Sequence, residues 1–200
     1  MTNLRSALLL VSLCACARTP ASEPAAATAA SSGAEPVAEP VATGGPIAFT
    51  PSPDVGAAPA GAITGQLFGQ DATVEVSFTQ VGESWGLQFD SAPGTGYATG
   101  AVSLDGNVAA GALLRSTSAS RPSFLCDPTG ANRNDSEVAY AIEVTSAELR
   151  PCPADATDWV EIGTVTGRIV VLARDRAGDA ADSYLAGTFT DVTVSCMSGG

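Results

Sequence analysis

From Gly61 onward, apolar and polar residues alternate with a period of two. In "TVEVSFTQ" Val74, Val76 and Phe78 share one side, and Glu75, Ser77 and Thr79 share the other. "SWGLQFD" places Trp85, Leu87 and Phe89 on one face, and "EVAYAIEV" does the same with Val138, Tyr140, Ile142 and Val144. Such alternation is the pattern of half-buried antiparallel strands. Turn chemistry separates the runs. "VGES" joins the first two, "LDGN" (Leu104–Asn107) carries the Asp-Gly hairpin signal, "DPTG" (Asp127–Gly130) reads as a turn, and "DRAGDAADS" joins "GTVTGRIVVLAR" to "YLAGTFTDVTVSC". In the last of these strands the apolar parity slips near Asp191, from Leu185 and Phe189 to Val192 and Val194. A bulge, or a strand that changes sheets, produces such a slip. The pattern predicts an all-β domain over 61–200, an antiparallel β-sandwich of eight or nine strands, with a small β-barrel as the alternative.

The preceding residues lack this periodicity. Residues 17–60 are mostly Ala, Pro, Ser, Thr and Gly, hold eight of the 13 prolines and repeat "AEPV", a composition that predicts a disordered tether. If flexible, a tether of that length has a root-mean-square reach of roughly 35–40 Å. Ahead of it, "MTNLR" and the apolar run "SALLLVSL" fit the first two regions of a secretory signal. The run is too short for a spanning helix, which needs about 20 residues.

The string Leu13-Cys14-Ala15-Cys16 that closes this segment resembles the lipobox of bacterial lipoproteins. That pattern has Leu at −3 and a small residue at −1 of the acylated cysteine. Cys14 would instead have bulky Leu13 at −1. The resemblance covers residues 1–16. It implies removal of a signal peptide (1–15), lipidation of Cys16, and a membrane partner reached through the N-terminal lipid. Ala17, in the sorting position, implies the outer membrane of a bacterial envelope. Loss of Cys14 and acylation of Cys16 leave Cys126, Cys152 and Cys196, and an exported protein meets oxidising conditions. A hairpin turning near Gly178 puts Cys196 opposite about Val160, close to Cys152, so a Cys152–Cys196 disulfide is favoured over pairings through Cys126.

Charge and composition narrow the function. The chain has 21 acids, nine bases and a net charge of −12, and every base is Arg. This argues against nucleic acid as a partner, because phosphate neutralisation draws on Lys and Arg. No His or Lys is present, so Ser-His-Asp and Cys-His sites, Ser-Lys dyads, Schiff-base lysines and His metal ligands cannot be built from this chain.

The remaining candidate motifs are weak. "GESWG" (Gly82–Gly86) matches the nucleophile-elbow pattern around Ser84, but the motif needs a following helix and a His. A hairpin turn presenting an exposed Trp85 is the simpler expectation. The glycines of "APGTGYATG" (Ala92–Gly100) fit no phosphate-loop pattern and read as a mobile loop. Two acidic loops offer oxygen ligands for Ca²⁺: Asp127, Asn132, Asn134, Asp135 and Glu137 in one, and Asp175, Asp179 and Asp182 in the other. Trp85, Tyr97, Trp159 and Tyr184 are candidates for sugar or peptide contacts. "GAITGQL" and "GTVTGRI" resemble each other, and close backbone approach at Thr-Gly explains this more simply than duplication does. The reading is therefore a lipid-anchored, non-catalytic β-domain with no cofactor, with a protein or glycan partner in the envelope. A carboxylate-based glycan hydrolase and a Ca²⁺-stabilised adhesion module are the alternatives.

Overall fold

The computed structural model of the chain describes residues 47–92, 98–120, 122–178 and 180–198. The described residues form nine strands: β1 (Ile63–Leu67), β2 (Gln70–Val81), β3 (Ser84–Ser91), β4 (Thr99–Leu104), β5 (Leu113–Arg115), β6 (Phe124–Cys126), β7 (Glu137–Leu149), β8 (Val160–Arg174) and β9 (Ser183–Met197). The only helical element among them is the 3₁₀ turn Val55–Ala57. All nine strands belong to one sheet, ordered β5-β7-β8-β9-β1-β2-β3-β4-β6. The outermost strands β5 and β6 are not paired with each other, so the sheet is not a closed barrel. It doubles over into a sandwich: residues of β7 and β8 (Tyr140, Ile142, Ile169) share one apolar core with residues of β2–β4 (Phe78, Leu87, Val102). The Asp105 backbone N–H beyond β4 donates across to the Tyr140 hydroxyl of β7.

The inward residues are those the alternation picks out. Val74, Val76, Phe78, Leu87, Phe89, Val138, Tyr140, Ile142 and Val144 are all buried. The parity slip in β9 is a bulge, the first of its two predicted causes; the strand changes its partner but not its sheet. Thr190 and Asp191 lie opposite Thr166 alone, where the ladder jumps from Val165↔Val192 to Gly167↔Phe189. Asp191 takes the left-handed conformation (φ 51°), and its N–H donates to Thr166 Oγ1 at 3.0 Å. Beyond this bulge β9 leaves β1, to which it pairs at Tyr184–Ala186, and runs parallel to β2 at Val194–Met197. The two Thr-Gly motifs are sites of close backbone approach: an added Cβ would meet the Tyr184 carbonyl at Gly65 and the Glu143 carbonyl at Gly167.

Three expectations are corrected. The tether does not run to residue 60. Ile47, Phe49 and Ala58 lie on the outer face of the sheet over Val170, Leu172 and Ala186, and Val55 and Pro53 are buried. Outward Val170 and Leu172 would otherwise face water, so this strap belongs to the domain. Residues 1–46, including Cys16, lie outside the described residues. Second, "LDGN" is not a hairpin. β4 pairs with β3 and β6, whereas β5 pairs with β7, so Asp105-Gly106 turns the chain from one layer to the other. The Asp105 carboxylate accepts from Thr117 N and Oγ1 instead of closing a ladder. Third, Trp85 is buried, 9 % exposed, because it falls on the inward parity of β3.

Candidate functional site

The acidic loops come first, because their residues converge. Asp127 begins an Asx-type turn. Its Oδ1 accepts from Thr129 N (2.9 Å), Thr129 Oγ1 (2.6 Å) and Ala131 N (3.0 Å). Its Oδ2 accepts from Arg133 Nε at 3.0 Å. Burial pushes the carboxyl up, but the Thr129, Ala131 and Arg133 hydrogen bonds outweigh it and hold the group below the ordinary aspartate value. Arg133 reaches Asp175 of the other loop at 3.5 Å and stacks over the Phe68 ring at 5.1 Å. The guanidinium thus occupies the position between the two carboxylates that a cation would take.

The other loop acids are also engaged. Glu137 pairs with Arg176 and Asp182 with Arg174, both at 3.4 Å. Asn132 Oδ1 accepts from Asn134 N, and Asn134 Oδ1 accepts from Leu125 N. Asp179 lies outside the described residues. Among the described residues no three acids or cysteines are grouped to hold a metal. This cluster ties the loop after β6 to the loop after β8.

The four aromatic candidates separate sharply. Trp85 is core, Tyr184 packs against the 47–60 strap, and Tyr97 lies outside the described residues along with the rest of 93–97. Trp159 is 52 % exposed. Leaving on the order of 100 Å² of indole in water forgoes roughly 2–3 kcal/mol of burial. The backbone that carries it is nonetheless firmly placed. It immediately precedes β8, and the loop leading to it is pinned to the end of β9. The ladder sets Val160 opposite Cys196, and Cys152 is disulfide-bonded to Cys196 with a Cα–Cα distance of 5.9 Å. Ser198 N and Oγ both donate to the Ala156 carbonyl, at 2.9 and 2.7 Å.

Trp159 borders a depression of about 170 Å³ lined by Ser77, Phe78, Thr79, Gln88 and Ser195. Register explains the set. Ser77 of β2 faces Gln88 of β3, and Thr79 of β2 pairs with Ser195 of β9 along the parallel seam. Outward positions on three neighbouring strands therefore meet. Gly86, opposite Thr79, leaves room for the Thr79 side chain, since a Cβ there would come within 2.8 Å of Thr79 Oγ1. No other described side chain hydrogen-bonds the side chains of Ser77, Thr79, Gln88 or Ser195. Trp159 is legible in the sequence as a candidate, but the full set of its polar neighbours is not, because Ser195 joins the β2–β3 hairpin through a parallel seam that alternation does not reveal. Pockets for drug-sized ligands run to roughly 300–1,000 Å³, so this depression suits one small ring.

A larger cleft of about 500 Å³ opens where β9 changes partner from β1 to β2. Its walls are Ala62, Val74, Phe189 and Val192, with Glu75 and Asp191 at its exposed positions. It is the seam that the strand switch leaves. Ser84, the residue of the elbow-like motif, starts strand β3 and is followed by strand, not helix. Cys126, at the end of β6, is buried and lies outside the Cys152–Cys196 disulfide.

No protein-family model, curated protein or solved structure matches the chain.

Proposed function

We propose that this chain is a lipid-anchored, non-catalytic protein of a bacterial cell envelope, acylated at Cys16 and presenting its β-domain to a partner there. The observation that carries this reading is the lipobox-like Leu13-Cys14-Ala15-Cys16 directly after an eight-residue apolar run. The packing of 47–60 onto the domain leaves residues 17–46 as the lead between lipid and domain. Ala17 favours the outer membrane. The non-catalytic part is supported by the absence of His and Lys, and by the engagement of the convergent acids Asp127 and Asp175 with Arg133. The exposed Trp159 on a pinned loop, beside polar side chains that no other described side chain hydrogen-bonds, supports the binding part.

The intact mass of the protein purified from its native membrane tests the anchor. The expected product starts at Cys16 and carries a diacylglyceryl group, and under globomycin the acylated but uncleaved precursor should accumulate in its place. Cys16→Ser should abolish acylation. An unacylated amino terminus, or cleavage elsewhere, would overturn the anchored reading.

A further inference from the structure

We propose that Trp159 is the stacking platform of a subsite for one uncharged pyranose ring of an oligosaccharide, with Gln88, Thr79 and Ser195 hydrogen-bonding the sugar hydroxyls. The inference rests on the binding role proposed above and names its ligand class. A sugar ring has an apolar C–H face and a rim of hydroxyls. It is matched by an exposed aromatic plane with hydroxyl and amide groups beside it. That combination is present here: an exposed indole just before a strand whose start is tied down, bordering a depression whose polar side chains no other described side chain hydrogen-bonds.

Alternative ligands fit less well. An apolar protein surface closing over Trp159 would bury the Ser77, Thr79 and Ser195 hydroxyls and the Gln88 amide without partners. An anionic ligand would find no Arg in the lining, and Glu75 and Asp90 outward on the adjacent row of β2 and β3. A cation would find the indole but no carboxylate in the lining. The size of the depression limits the contact to about one ring, so the contact is with a single residue of a glycan. The disulfide and the Ser198 bonds hold the loop before binding, which lowers the ordering cost of capture.

The chain holds only two tryptophans, and one is core. Acrylamide quenching of the full chain in detergent therefore reports mainly on Trp159. The probes are chitotetraose, cellotetraose and maltotetraose. At least one should protect the quenchable fraction saturably and shift its emission to the blue. By calorimetry, Trp159→Ala should weaken that sugar at least about tenfold, Trp159→Phe should stay within about fivefold, and Gln88→Ala should lose about threefold or more, all with unchanged circular dichroism. Three outcomes would overturn the proposal: protection by none of the three sugars, equal protection by tetramethylammonium, or protection that rises with protein concentration in the absence of sugar. The last would make the face a contact between copies of the chain. Acylation of Cys16 is read from the mass of the amino terminus, so failure of the anchor and failure of the sugar site are separable.

Discussion

The two outward faces of the sheet are treated in opposite ways. Over β8 and β9, outward Val170, Leu172 and Ala186 are covered by the chain's own strap, with Phe49 sandwiched under the Arg174 guanidinium at 4.2 Å. Over β2, β3 and the end of β9, the outward residues are Ser77, Thr79, Gln88 and Ser195, and Trp159 stands beside them half in water. An apolar outer face demands a cover and obtains one from the same chain. A polar face does not, so an exposed aromatic pinned beside it is available to something else. Burial on the first face serves stability, and exposure on the second leaves room for binding.

The largest effect is expected where the open face is pinned. The Cys152–Cys196 bridge closes a loop with a sequence separation of 44. The chain-entropy model gives about 4 kcal/mol for such a loop. The Cys152→Ser/Cys196→Ser double variant should lose stability of this order in urea unfolding. Acrylamide access to Trp159 should rise even under native conditions. Lower stability with unchanged quenching would show that the Ser198 bonds to Ala156 suffice to hold the loop.

Next comes the ion cluster at the end of the covered layer. Asp127→Ala leaves Arg133 Nε, Thr129 N and Ala131 N without their acceptor, at a cost of about 2–3 kcal/mol. The folded-state pKa of Asp127 lies below its ordinary value of 3.8. Its contribution is therefore present above pH 3.8 and is lost as the pH falls from there through the lower folded value. The stability gap between the native chain and Asp127→Asn should be widest at pH 6 and should narrow below pH 3.8, as measured by urea midpoints. A gap that stays constant through that range would assign the role to the shape of the turn and not to the charge of the carboxylate.

A smaller effect tests the cover directly. Phe49 is half-buried, so Phe49→Ala should cost about 1–2 kcal/mol, less than the 3–5 of a fully buried ring, with the loss of the Arg174 contact included. Hydrogen exchange at Val170 and Leu172 should show whether the strap peels away as a unit.

The difference between the faces also sets what could be read from the chain. β2 and β3 are legible because each has one wet face. β7 is legible because the small Ala139 and Ala141 alternate with Val138, Tyr140 and Ile142, although both of its sides are buried there. The slip at Asp191 is legible because it breaks the alternation. The strap is not, because Ile47, Phe49 and Val55 are isolated apolar residues among prolines with no period. Its signal lies in the partner strand: the unbroken run Ile169–Ala173 in β8 declares burial on both sides. Asp105-Gly106 carries a hairpin signal and makes an interlayer turn instead, since turn chemistry fixes the bend and not the strand that follows. Of the binding face, only Trp159 stands out in the sequence. Ser77 and Gln88 are ordinary outward residues of the β2–β3 hairpin, and Ser195 joins them only through the parallel pairing of β2 with β9.

The smallest expected change in stability is the most telling. Trp159→Ala removes the largest exposed side chain of the open face, yet it should shift the urea midpoint by no more than about 0.5 kcal/mol, the usual range for a surface position. Set beside Phe49→Ala, this is a direct test of the contrast, since both substitutions truncate an aromatic on the outside of the same sheet. A loss at Trp159 equal to that at Phe49 would mean that the indole holds the disulfide loop in place, and the open face would then be one more piece of cover. A loss near zero, with sugar protection abolished, would leave stability to Phe49 and recognition to Trp159.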